Sequence, residues 1–131
     1  MTRYVVDAGV VLDLVSSGIA VSAEHELLAP TLLRSQVLSL LHDAAYRGEL
    51  DREIALERHA ATRKLPIRLL GDAVLQRQAW KVADRLGWAQ TYEAEYVALT
   101  QLQADALITL DADFALRAEE LVSVAPIDAL R

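Results

Sequence analysis

No cysteine occurs among the 131 residues, which excludes a disulfide framework and any thiolate metal site. Tracts rich in glycine, proline or serine are also missing. With a hydrophobic share of 53%, the chain has neither an internal linker nor the composition of a disordered protein. Its apolar runs all fall well short of the roughly 20 residues that a membrane-spanning helix needs. The opening stretch MTRYVVDAGVVLDLV carries Asp7 and Asp13 inside its apolar run and no small-residue cleavage signal, so it reads as core sequence and not as a signal peptide. His25, His42 and His59 lie on separate segments without metal-ligand spacing. These absences lead to the expectation of one cytoplasmic domain spanning residues 1–131, with one core and no association with a membrane.

What the chain does have is an excess of acid. The net charge is -6 and the sequence pI about 5.0, which argues against a protein that coats nucleic acid. The charge is unevenly spread: between Arg34 and Arg68 seven basic residues face five acidic ones, a surplus of two, and the rest of the chain carries -8. A carboxylate cluster on one side and a mildly basic arm on the other would suit a metal site approached by a phosphate backbone. It would equally suit an ordinary acidic domain.

Periodicity divides the chain into short apolar runs and longer helical stretches. A β-branched and aromatic run from Tyr4 ends at Asp7, and a helix through Val15 follows, stopped by Ser16-Ser17-Gly18. Asp7 admits two readings there, a helix N-cap or a metal ligand. Pro30 and Thr31 are expected to open a second helix with the stripe Leu33, Val37, Leu40, Leu41 and Ala44. Gln36 points at the edge of that stripe, where a polar side chain needs a partner. A third helix is expected over Asp51–Lys64 on the thin stripe Ile54, Ala61 and Leu65, then a short strand over Pro66–Leu70 and a helix from Ala73 to Leu86 closed by Gly87. Trp80 falls beside the stripe of that helix, as core or as dimer surface. Leu38 and Tyr46 are further apolar residues in excess of what one core uses, as at an interface.

The stretch Thr91 to Phe114 reads as helix, turn, strand and carboxylate. Glu93 falls in the first helical turn, and the buried-strand run Ala106 to Leu110 ends at Asp111. A last short strand is expected over Leu121–Val124. Short strands alternating with helices imply an α/β fold with a mostly parallel sheet covered on both faces. In such a sheet all strand C-termini share one edge, so Asp7, Asp111 and Glu93 can converge there. Clustered carboxylates repel unless a cation neutralises them or one stays protonated. A hard divalent ion such as Mg²⁺ would meet that need and leave coordination sites for phosphate oxygens and an activated water.

Three blocks in order, VVDAGVVLDLV, LLAPTLLRSQVLSLL and TYEAEYVALTQLQADALITLDADFA, resemble the PIN-domain family, most closely the VapC-type toxins of bacterial toxin-antitoxin pairs. The resemblance implies a PIN-like three-layer α/β fold with a short, mostly parallel sheet flanked by helices on both faces. It further implies a Mg²⁺- or Mn²⁺-dependent ribonuclease acting on RNA, usually a homodimer, neutralised by a cognate antitoxin that wraps around it. The family's acidic residues would fall on Asp7, Gln36, Glu93 and Asp111, with Asp113 as an additional carboxylate and Thr109 as a hydroxyl supporting the ligands. Three positions depart from the pattern: Gln36 stands where Glu is usual, Glu93 where Asp is usual, and Gly9 where Ser or Thr is usual. Gln36 removes a full negative charge and a possible base. The rival readings are a catalytically silent PIN fold that binds an antitoxin or RNA without cleaving, and an α/β domain whose carboxylates only cap helices.

Overall fold

The computed structural model describes residues 1–131 throughout. Five strands form one sheet in the order β3-β2-β1-β4-β5, and every neighbouring pair is parallel. The strands are β1 (Thr2–Val6), β2 (His25–Pro30), β3 (Ile67–Leu70), β4 (Ala106–Ile108) and β5 (Val124–Ala125). The helices are α1 (Ala8–Ser17), α2 (Leu32–Tyr46), α3 (Arg52–Thr62), α4 (Ala73–Leu86), α5 (Tyr92–Gln103) and α6 (Ala112–Ala118), with a closing 3-10 turn over Ile127–Leu130. Helices α1, α2 and α3 pack on one another, and α4 packs on α5, which itself lies against β1, β2 and β4.

Consecutive residues are buried in the central strands: Val5 and Val6 in β1, Leu27 to Ala29 in β2, Leu107 and Ile108 in β4. Successive strand side chains point to opposite faces, so both faces of the sheet are covered. This is the α/β architecture expected from the alternation of runs. Helix α4 matches its expected span, because Asp72 accepts the Leu75 N–H at its start and Gly87 closes it at φ 72°. Its buried face is Leu75, Ala79, Val82, Ala83 and Leu86.

Five local expectations are corrected, the first being the last strand, which runs over Val124–Ala125 and not Leu121–Val124. The second helix does open just after Pro30, with Thr31 as its N-cap and Leu32 as its first residue, but Pro30 is not part of its first turn; it is the last residue of β2, paired with Leu70 of β3. The segment HELLAP has no β-branched residue, and its place between β1 and β3 overrides the helical preference of leucine and alanine. Strand β4 stops at Ile108 and not at Leu110, which is exposed. There the Thr109 side chain accepts the Asp111 N–H at 3.2 Å and bends the chain off the ladder. In α2 only Leu33, Val37 and Leu41 are buried, with Leu40 47% exposed. In α3 the one buried residue is Ala55, while Ile54 is exposed, because that helix meets α1 and α2 along a single edge.

The strand order also fixes where a ligand site can lie. From β1 the chain moves outward to β2 and β3, then crosses to the other side of β1 for β4 and β5. The order therefore reverses between β1 and β4. The loops leaving these two strands diverge to opposite sides and leave a crevice at the C-terminal edge.

Candidate metal centre

Asp7 is the first residue after β1 and the N-cap of α1. Its Oδ1 accepts the Val10 N–H at 3.1 Å, and its Oδ2 accepts the hydroxyl of Thr109 from the end of β4. Thr109 in turn accepts the Asp111 N–H, so one hydroxyl links the two strand ends on either side of the crevice. Asp111 is the N-cap of α6, its Oδ1 accepting the N–H groups of Asp113 at 3.0 Å and Phe114 at 3.1 Å. The two readings of Asp7 are thus not exclusive: both aspartates cap helices, and both turn toward the same cavity.

That cavity has a volume of about 300 Å³. Asp7, Ala8 and Gly9 line it from the start of α1, Gln36, Ser39 and Leu40 from α2, Glu93 and Tyr96 from α5, and Asp111 and Phe114 from α6. The structure therefore brings Asp7, Gln36, Glu93 and Asp111 together. Asp113 does not join them: it is exposed and away from the lining, and only its backbone N–H takes part, in the Asp111 cap. A larger cavity of about 510 Å³ lies between α2, α3 and β3, but no carboxylate lines it. Its size does not outweigh that lack of chemistry.

The electrostatics agree with a crowded acidic site. Burial raises the Asp7 carboxyl above its ordinary value, and the charge of Asp111 adds to this against the opposing hydrogen bonds from Thr109 and Val10. Glu93 is raised by burial and then by the charges of Asp111 and Asp7. Glu95, two residues after Glu93, is raised by burial alone. No Arg, Lys or His pairs with Asp7, Glu93 or Asp111; the protein's ion pairs all lie elsewhere.

A hard cation fits this donor set by its chemistry, since every candidate ligand is a carboxylate oxygen. Glu93 makes no hydrogen bond to protein groups and Asp111 keeps its Oδ2 free. In the present conformation, however, no three acidic or histidine side chains stand close enough to close on one ion. Asp7 and Asp111 are each held by the helix they cap, and Glu93 is the one of the three without a protein partner.

Two lining residues were not singled out from sequence. Tyr96 is buried on α5 and donates its hydroxyl to Gln36 Oε1 at 2.5 Å; burial, then Asp7 and Glu95, push its own ionisation well above the usual tyrosine range. Ser39 follows Gln36 by one turn on α2. Helical spacing was the available signal: Tyr96 is three residues from Glu93 and Ser39 three from Gln36, so each pair shares a face.

No family profile matches the sequence, and no curated protein matches it. Solved structures do resemble it. PAE2754 from Pyrobaculum aerophilum superposes with a TM-score of 0.77 at 20% identity, covering 98% of this chain and 92% of that one. VapC20 of Mycobacterium tuberculosis, a sarcin-ricin loop cleaving toxin, gives 0.62 at 19% identity over 94% of this chain and 99% of its own. VapBC-1 from nontypeable Haemophilus influenzae gives 0.63 at 13% identity over 96% and 98%. At such identities the likeness carries the fold and not the chemistry. The chain has the PIN-domain fold of the VapC toxins.

Proposed function

We propose that the protein is a Mg²⁺- or Mn²⁺-dependent endoribonuclease, the cytoplasmic toxin of a toxin-antitoxin pair. The observation that carries this reading is the set of three carboxylates, Asp7, Glu93 and Asp111, gathered without any protein cation around one cavity where the strand order reverses. Asp7, Glu93 and Asp111 would hold the ion, which when bound supplies an activated water and a Lewis acid for phosphodiester hydrolysis. Thr109 and the Val10 N–H fix the Asp7 carboxylate from two directions, and the Asp113 and Phe114 N–H groups fix Asp111. Glu93, free of protein partners, supplies the adjustable arm. Phe114 and Leu40 supply the apolar part of the cavity wall.

The partners follow from surfaces outside the cavity. Leu38, Tyr46 and Leu56 are exposed at 53%, 84% and 58% and line a hollow of about 380 Å³ between α2 and α3. An antitoxin helix would cover such a surface. Trp80, 68% exposed on α4, is the candidate for the homodimer contact. No helix is long and apolar enough to cross a membrane.

The second reading, a silent PIN fold that binds antitoxin or RNA, is favoured by Gln36 and by the spread of the three acids. Calorimetric titration with Mn²⁺, followed by incubation with total RNA, separates the two. The ribonuclease reading expects saturable Mn²⁺ binding, a higher melting temperature and cleavage that EDTA abolishes. Intact RNA and no thermal response to Mn²⁺ would leave the silent fold.

A further inference from the structure

Gln36 is a poor surrogate for a glutamate ligand, and its hydrogen bonding gives it another use. A primary amide has one acceptor oxygen and two N–H donors. The Tyr96 hydroxyl donates to that oxygen. With Oε1 turned to Tyr96, the amide nitrogen is the end left for the cavity. The surrounding charge favours the same orientation, because Asp7, Glu93 and Asp111 line the cavity and attract an N–H edge where they would repel a carbonyl oxygen. Tyr96 is 2% exposed, so its hydroxyl has no bulk water to turn to. Ser39, one turn along α2, puts a second neutral hydroxyl into the same wall and has no protein partner for it.

From this arrangement we propose that Gln36 is a substrate-binding donor and not a metal ligand: its amide N–H bonds a non-bridging oxygen of the RNA phosphodiester, and Tyr96 is the positioning residue that orients the amide. The proposal rests on the ribonuclease reading for its substrate class. A phosphodiester entering this cavity meets three like charges, and the α2 wall is where neutral donors can receive it. No proton is transferred at Gln36; the amide contributes one hydrogen bond to a charged acceptor.

The test measures two affinities separately in the full chain: Mn²⁺ by calorimetry, and a short fluorescein-labelled phosphorothioate RNA by anisotropy at saturating Mn²⁺. Gln36→Ala is expected to weaken RNA binding about tenfold, the scale of one hydrogen bond to a charged group, and to leave Mn²⁺ affinity unchanged. Gln36→Glu is expected to move the two readouts in opposite directions, tightening Mn²⁺ and weakening RNA. Tyr96→Phe should lower RNA affinity, and adding it to Gln36→Ala should cost nothing more, since the two then share one interaction. A Gln36→Ala protein that loses Mn²⁺ affinity as Asp111→Asn does would make Gln36 a ligand and overturn the proposal. So would unchanged RNA affinity in both Gln36 variants. Wild-type protein that binds this RNA yet leaves unmodified RNA intact removes the ribonuclease reading alone, and the Gln36 contact is then decided by the affinities.

Discussion

Asp7 and Asp72 each leave a strand of the same parallel sheet and each open a helix, accepting the backbone N–H three residues on at 3.1 Å and 2.9 Å. Their local chemistry is the same, and their positions in the sheet are not. Asp72 follows β3 at the edge, after Gly71, where a Cβ would meet Thr31 Oγ1 at 2.7 Å. Its carboxylate shares no cavity with another acid near the C-terminal crevice. Asp7 follows β1 at the centre, and across the reversal in strand order stands β4 with Thr109 and Asp111. The same capping geometry is thus an end in itself at Asp72, while at Asp7 it also aims a second oxygen into a shared acidic site. Topology, not residue type, separates a structural carboxylate from a candidate ligand.

The largest expected difference between the two comes from removing each. Asp7→Asn keeps an acceptor for Val10 but removes the charge, and RNA cleavage should fall by about a hundredfold or more, beyond what loss of a ligand's outer partners costs. The Mn²⁺-dependent rise in melting temperature should disappear with it. Asp72→Ala loses a cap and should cost about 1 kcal/mol of stability, with cleavage at permissive temperature unaffected. Cleavage rates and urea midpoints for the two proteins decide the matter. Equal loss of activity in both would reduce the distinction to general destabilisation.

A smaller difference should appear in pH dependence. Burial and neighbouring charge raise Asp7 and Glu93 in the folded protein above ordinary values of 3.8 and 4.5. The folded state then binds protons more tightly than the unfolded chain, so metal-free stability rises as pH falls through the raised folded values. The rise is complete once pH reaches the unfolded values. Saturating Mn²⁺ should abolish this trend, because an ion favours the charged forms, and Asp7→Asn should flatten it without metal. Urea midpoints measured from neutral to mildly acidic pH provide the check. A metal-free midpoint that only falls with acidification would mean the acids are not strained by one another.

These contrasts also show how far the sequence was legible. Helix α4 could be bounded because cap, stripe and terminal glycine are all local, from Asp72 through Leu86 to Gly87. Strand β2 could not, since its identity comes from two flanking strands and not from its own leucines and proline. The candidate acids were readable as strand ends and helix starts, with Gln36 drawn in through the family resemblance. What joins them was hidden. The Thr109 bond to Asp7 spans 102 positions and the Tyr96 bond to Gln36 spans 60, and no local pattern encodes a contact between elements brought together only by the fold. Asp113 shows the converse: it lies two residues from Asp111, yet the first turn of α6 carries it out to solvent.

The smallest effect is expected at Gly9, which lines the cavity beside Asp7 where the family resemblance would place a hydroxyl residue. A Cβ built there has only Asp7 Oδ1 near it, at 3.7 Å, an ordinary contact, so either alanine or serine can be accommodated. Both should stabilise α1, alanine by about 0.5 to 1 kcal/mol and serine by roughly half as much, because glycine is the poorer helix former. Their difference carries the information. The serine hydroxyl can donate to Asp7, which favours the ionised carboxylate, so the acid-side gain in metal-free stability should begin at lower pH in Gly9→Ser than in Gly9→Ala. Asp72 should be indifferent to both changes, as its cap lies on another strand. Superimposable pH profiles for the two variants would show that a hydroxyl at this position does not reach Asp7, and would reduce the departure at Gly9 to helix propensity alone.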